Sequence, residues 1–127
     1  MASGSNIRVR RVYDPPEEDD GTRVLVDRLW PRGISKEHAA VDLWAKDVTP
    51  SKELRSWYHE DPGTRYDEFV DRYRTELGDP AHTEAVQQLL ALLRRGGAVT
   101  LVTAVKDVPA GHVPVLVEHL EHALDHR

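Results

Sequence analysis

TRVLVDRLWPRG, residues 22–33, decides how this chain is read. Val24, Leu25 and Val26 are consecutive apolar residues, the pattern of a strand buried on both faces in a sheet that helices cover from two sides. The run stops at Asp27 and is followed at once by Arg28, Trp30, Pro31, Arg32 and Gly33. Proline and glycine turn a chain, so residues 27–33 predict the end of a central strand and a polar corner beyond it. In open α/β sheets that edge is where ligands bind.

Upstream, Ile7-Arg8-Val9-Arg10 alternates as a half-buried strand does, and Val12 breaks the parity, marking a bulge or the strand's end at Arg11. Asp14-Pro15-Pro16 and the run Glu17-Glu18-Asp19-Asp20 then lead to Gly21. The acidic run reads as a solvated loop rather than a metal site, because adjacent loop carboxylates rarely converge without a turn built for it. The link of roughly ten residues is too short for a crossover helix. Local reasoning therefore prefers an antiparallel hairpin for the first two strands, with a parallel arrangement left open.

Downstream, Ser35 can cap a short helix through Ala40, and Leu43-Trp44-Ala45 suits a brief third strand. Thr49-Pro50 and Asp61-Pro62 each place an N-cap oxygen before a proline at the first helical position, predicting two helix starts. Leu54, Trp57 and Tyr58 share a face of the first helix. Tyr66, Phe69, Val70, Tyr73 and Leu77 share a face of the second, which Gly78 ends. Asp79-Pro80 repeats the signal for a helix with the stripe Val86, Leu89, Leu90 and Leu93, closed by Gly96-Gly97. Residues 98–105 read as a second fully buried strand, and 106–112 as a loop. A last helix follows, with Pro114 as its first residue and Val113, Leu116, Val117, Leu120 and Leu124 on one face.

The order β-β-α-β-α-α-α-β-α predicts an α/β fold: one compact layered domain over residues 7–127, a small mostly parallel or mixed sheet flanked by helices. Residues 1–6, MASGSN, read as a disordered leader or a cloning remnant. A chain of 127 residues has room for one hydrophobic core, and 39% hydrophobic with 31% charged residues suits a globular protein rather than a disordered one. No apolar run approaches the roughly 20 residues that span a bilayer, and the start carries no signal core, so the expectation is cytoplasmic, with no membrane partner. The absence of cysteine excludes disulfides, thiolate metal sites and cysteine nucleophiles. A formal charge of −5 disfavours nucleic acid as a partner but leaves room for a local basic pocket.

The strand exits supply the candidate site. Tyr13 and Asp14 follow the first strand, Asp27, Arg28, Trp30 and Arg32 the second, and Lys106 the last, with His112 at the start of the final helix. Arg28 and Arg32 around Trp30 suit an anion with a planar portion, since guanidinium grips phosphate or carboxylate in bidentate fashion and an indole offers a stacking face. The competing view makes Trp30 core, pairs Arg28 with Asp27 or Asp14, and reduces the motif to a turn. His112 lies where free backbone N–H groups favour an anion, and is the candidate acid or base, although a lone histidine is more often structural. His59 joins a pocket only if its helix end reaches the sheet edge. His119, His122 and His126 share a spacing that reads as a solvated face, so no metal and no cofactor are expected. The function expected is binding of a small phosphate- or carboxylate-bearing ligand at the C-terminal edge of the sheet, with turnover left open. The alternative is a non-enzymatic interaction or regulatory module that uses the corner as a contact surface. A monomer or homodimer suits either.

Arg11-Val12-Tyr13-Asp14, then residues 20–33, then Leu54-Arg55-Ser56-Trp57-Tyr58-His59, resemble the YeaO-like family of small bacterial cytoplasmic proteins, a domain of unknown function (DUF488), over about residues 7–124. The resemblance implies a compact α/β fold and, through the family's wider branch, parallel first and second strands despite the short link. It implies no established activity. In the wider branch the last strand exit carries cysteines and a histidine, where this chain has Thr103-Ala104-Val105-Lys106-Asp107 and Gly111-His112. Closer relatives tend to have tyrosine at the position of Thr103 and asparagine at that of Gly111. Cysteine chemistry is therefore out of reach, and no basic recognition helix supports a DNA-binding regulator.

Overall fold

The two apolar runs sit side by side in the middle of a sheet. In the computed structural model, which describes residues 7–125, the strands are β1 (Ile7–Arg11), β2 (Thr22–Leu25), β3 (Leu43–Trp44) and β4 (Val99–Thr103). All pairings are parallel, in the order β1-β4-β2-β3. On one side of β4, Ile7 aligns with Val99 and Arg11 with Thr103; on the other, Thr22 aligns with Val99 and Leu25 with Val102. Every residue of β4 is buried, as its unbroken apolar pattern requires. The proposed leader, residues 1–6, and His126 lie outside the described residues.

The hairpin expectation is corrected here: β1 and β2 run parallel and do not pair, because β4 lies between them. The short link suffices because it crosses one strand without a helix, held by charge. Register places Arg8 and Arg10 of β1, Thr100 of β4 and Arg23 of β2 on the same face. The acidic link lies across them. Arg8 reaches Asp19 at 3.2 Å and Glu17 at 3.4 Å, and Arg10 reaches Glu17 at 2.9 Å. Arg23 pairs with Asp20 at 2.7 Å, and the Thr100 hydroxyl donates to the Asp20 carbonyl at 2.7 Å. The solvated-loop reading holds for exposed Glu17, Glu18 and Asp19 but fails for Asp20, which is 1% exposed beside an Arg23 at 3%. Carboxylate oxygens of Glu17, Asp19 and Asp20 come within 4.8 Å of one another, and the arginines supply the charge that permits it. Gly21 closes the link at φ +65°, with Thr22 N donating to the Ala98 carbonyl.

The other face is apolar. Helices α2 (Lys52–Glu60), α3 (Pro62–Leu77), α4 (Pro80–Arg94) and α5 (Val113–Asp125) pack on Val24, Val99 and Leu101 through Phe69, Tyr73, Leu89, Leu116 and Leu120. Each such large side chain, fully buried, contributes about 1.5–3 kcal/mol of transfer free energy. Helix α1 (Lys36–Ala39), capped by Ser35, joins Trp30 and Ile34 over Leu25 and Val102 beside the acidic link.

Two helix starts differ from expectation. The cap of α2 is Ser51, whose hydroxyl accepts from Leu54 N at 3.1 Å, while the Thr49 hydroxyl donates to the Lys46 carbonyl at 2.7 Å. Helix α5 begins at Val113 rather than Pro114, with the His112 carbonyl accepting from Leu116 N. Proline lacks only a donor that the first turn leaves unused, so its place within that turn is loosely specified. Among the described residues no helix is long and apolar enough to cross a membrane.

Candidate functional site

Parallel strands deliver their exits to one edge, and there three segments enclose a cavity of about 600 Å³: residues 27–32 after β2, 49–50 with α2, and 104–112 after β4. Asp27 sets the first. Its carboxylate accepts from the Thr103 hydroxyl at 2.6 Å and from Ala104 N at 2.7 Å, while its carbonyl accepts from the Trp44 indole at 2.7 Å. The carboxylate is thus committed to bracing β2 against β4, and it makes no ion pair with Arg28. Beyond it, the Trp30 indole donates to the Ile34 carbonyl at 2.9 Å and meets Trp44 edge-on at 5.6 Å. One side of Trp30 packs on the Leu25–Val102 cluster, and the residue also lines the cavity. Core and site are therefore compatible roles for this residue.

The second segment is clamped by α3 and α4. Tyr73 donates its hydroxyl to the Val48 carbonyl, His82 Nε2 donates to the Thr49 carbonyl at 2.8 Å, and Glu76 accepts from Ser51 N at 2.8 Å. Thr49 and Pro50, held in this way, form part of the wall. Arg55 extends from it, its Nε donating to the Pro50 carbonyl at 3.3 Å.

The third segment hangs from two phenols: Tyr58 donates to the Ala110 carbonyl at 2.9 Å and Tyr66 to that of Gly111 at 3.0 Å. His112 follows, with Nε2 donating to the Val26 carbonyl at 2.6 Å and its ring edge-on to Tyr73. Burial pushes the His112 pKa down and the Arg55 charge acts the same way, outweighing the Val26 hydrogen bond and the Asp27 charge. A neutral ring that donates from Nε2 leaves the lone pair on Nδ1.

The arginines differ in their partners; outside the cavity, Arg11, Arg94 and Arg95 have no carboxylate within ion-pair distance among the described residues, Arg11 donating instead to the Ala104 carbonyl at 3.3 Å. Arg8, Arg10, Arg23, Arg65, Arg72 and Arg74 each have a carboxylate partner. Arg28, Arg32 and Arg55 line the cavity, and among the described residues no carboxylate lies within ion-pair distance of their guanidinium groups.

Of the residues expected from the strand exits, Asp27, Arg28, Trp30, Arg32 and His112 meet around this cavity. Tyr13, Asp14 and Lys106 are exposed and stand outside its lining. Tyr13 instead props the corner, its hydroxyl donating to the Arg32 carbonyl at 2.9 Å beneath the Arg11 guanidinium. The condition set for His59 is met, since the end of α2 reaches the edge. Arg55, Tyr58 and Asp107 were missed. Helical periodicity carried a signal for Arg55: it lies four residues before His59, on the stripe beside Leu54 and Tyr58.

A model of the inactive DUF488-N3 subclade matches residues 6–127. The chain belongs to the DUF488 family. The YeaO-like resemblance is thereby confirmed: an uncharacterized Mycobacterium tuberculosis protein, Rv3073c, is 49% identical over 120 residues, covering 94% of this chain and 98% of its own. The uncharacterized protein YeaO of Escherichia coli is 43% identical over 115 residues, 91% and 96% of the two chains. No solved structure matches this DUF488 chain.

Proposed function

We propose that this DUF488 chain binds a small phosphate- or carboxylate-bearing ligand in the cavity at the C-terminal edge of its sheet. The observation that carries the reading is the grouping of Arg28, Arg32 and Arg55 around one cavity with no carboxylate, among the described residues, within ion-pair distance of their guanidinium groups, whereas Arg8, Arg10, Arg23, Arg65, Arg72 and Arg74 each have one. Guanidinium groups in such a setting favour an anion by charge and by fork geometry. The volume of about 600 Å³ falls in the range of small-molecule sites, and Trp30, Pro50, Phe69 and Pro62 offer apolar surface to the body of the ligand. The description of the matched subclade as inactive favours binding without turnover, in which case His112 recognises the ligand rather than moving its protons.

The test is a thermal-shift screen of inorganic phosphate, sugar phosphates and organic acids against the wild type and the Arg28→Ala, Arg32→Ala and Arg55→Ala variants. A ligand at 100 times its Kd should stabilise the wild type by about 2.7 kcal/mol. Loss of one charge-assisted contact should weaken binding by roughly 10- to 100-fold, most for part-buried Arg55. Equal stabilisation of all four proteins removes these arginines from the site. A second reading rests on Leu29, 74% exposed at the same corner, as a contact for a protein partner; under it no small anion shifts the melting temperature.

A further inference from the structure

The cavity contains acceptors as well as cations, and a bare anion cannot satisfy them. His112 has Nε2 committed to the Val26 carbonyl, so in the neutral ring Nδ1 is an acceptor. Nδ1 makes no hydrogen bond among the described residues and is not one of the buried unpaired atoms, so it keeps contact with the open space that His112 lines. The groups around the ring are consistent with neutrality. The Asp27 carboxylate lies 4.0 Å from Nε2, beyond hydrogen-bond distance, and accepts instead from Thr103 and Ala104; Tyr73 presents an uncharged ring, and Arg55 is positive.

The second acceptor is Asp107. Asp107 is part of the cavity lining and precedes the 3-10 turn Val108–Ala110, but its side chain makes no cap hydrogen bond there and has no cationic partner among the described residues. Burial pushes the pKa values of Tyr58 and Tyr66 up; the Asp107 charge adds to this at Tyr58 and, after the Tyr58 charge, at Tyr66, which places that negative charge near both phenols. The phenol protons themselves are already given to Ala110 and Gly111. A negative group beside an anion site favours a ligand that also brings a hydrogen-bond donor to it.

Resting on the anion-binding reading above, we infer that the ligand is a hydroxylated anion, a polyol or sugar acid or its phosphate ester. Its acid group is gripped by Arg55 with Arg28 and Arg32. Its hydroxyls donate to His112 Nδ1 and to the Asp107 carboxylate. Apolar Trp30, Pro50 and Phe69 accommodate the carbon chain.

Calorimetric titration with two matched pairs tests this: gluconate against hexanoate, and glycerol 3-phosphate against propyl phosphate. The hydroxylated member of each pair should bind about tenfold more tightly, the order expected for hydroxyls that satisfy otherwise unpaired acceptors. Asp107 is exposed, so Asp107→Ala should fold; it should weaken gluconate and glycerol 3-phosphate relative to hexanoate and propyl phosphate, reducing the preference to about threefold. Nitrogen-15 spectra of the His112 ring should show the Nε2–H form at neutral pH, with Nδ1 shifting upon addition of gluconate and not of hexanoate. Equal affinities within both pairs, or a preference unchanged by Asp107→Ala, would overturn the hydroxyl inference and leave the anion site standing. Absence of binding by all four probes overturns both.

Discussion

A methyl group on Gly21 would point at the Ala98 carbonyl oxygen from 2.1 Å, in a sparsely populated backbone conformation, φ +65°, that costs other residues about 1–3 kcal/mol. Gly21→Ala should therefore lower stability by more than about 2 kcal/mol, read as a fall in the urea midpoint at unchanged slope. An unchanged midpoint would mean that the crossing over β4 is looser than described. The neighbouring Asp20 shows why such detail is hard to read from a sequence. The closest partner of Asp20, Arg23, is three residues on, but an acidic run looks solvated while the rest of its partners are unseen, and these are spread over two other strands: Arg8 on β1 and, 80 residues away, Thr100 on β4. Arg55 escaped attention for a similar reason. Its helix was legible, but which sheet edge that helix approaches depends on long-range packing.

At the scale of elements, periodicity was a sufficient guide to type and order, because buried strands and one-sided helices have different apolar spacings. The 22–27 and 98–105 runs and the stripe of α4 were all legible in this way. Strand direction was not, since a short link says nothing about which strand it must cross. The clamp on residues 48–51 was invisible as well, being made by Tyr73, Glu76 and His82 from two helices farther along the chain. Both His82 ring nitrogens face acceptors, the Thr49 carbonyl and the Asp79 carboxylate, so only the protonated ring satisfies both. Burial opposes that charge, but the Asp79 and Thr49 hydrogen bonds and the Asp79 and Glu76 charges prevail, leaving the pKa raised. A raised histidine pKa stabilises the fold fully below the unfolded value, near 6.5, and that stabilisation is lost as pH rises through the folded value. The stability difference between wild type and His82→Gln should thus be largest near pH 6 and shrink by about pH 9. A difference independent of pH would show that His82 acts only by packing. His112, with its pKa lowered, has the opposite sign, losing stability as pH falls below about 6.5; its contribution is common to both proteins and cancels.

Over the whole molecule, a net charge of −5 coexists with a local concentration of unpaired cations at one sheet edge. The separation follows from topology. Arg8, Arg10 and Arg23 on the polar face are neutralised by the link that crosses it. The turn after β2 and the start of α2 place Arg28, Arg32 and Arg55 where three segments meet. Binding that depends on such a patch weakens with ionic strength, since the screening length falls from about 10 Å at 0.1 M to about 3 Å at 1 M salt. The most direct measurement of the central claim is an NMR titration of the arginine Nε–H signals with inorganic phosphate at low salt. The resonances of Arg28, Arg32 and Arg55 should shift together and saturate with one Kd, while those of Arg8, Arg10 and Arg72 stay in place. Arginine shifts that are uniform and unsaturated, or absent at the three cavity positions, would contradict an anion site at this edge.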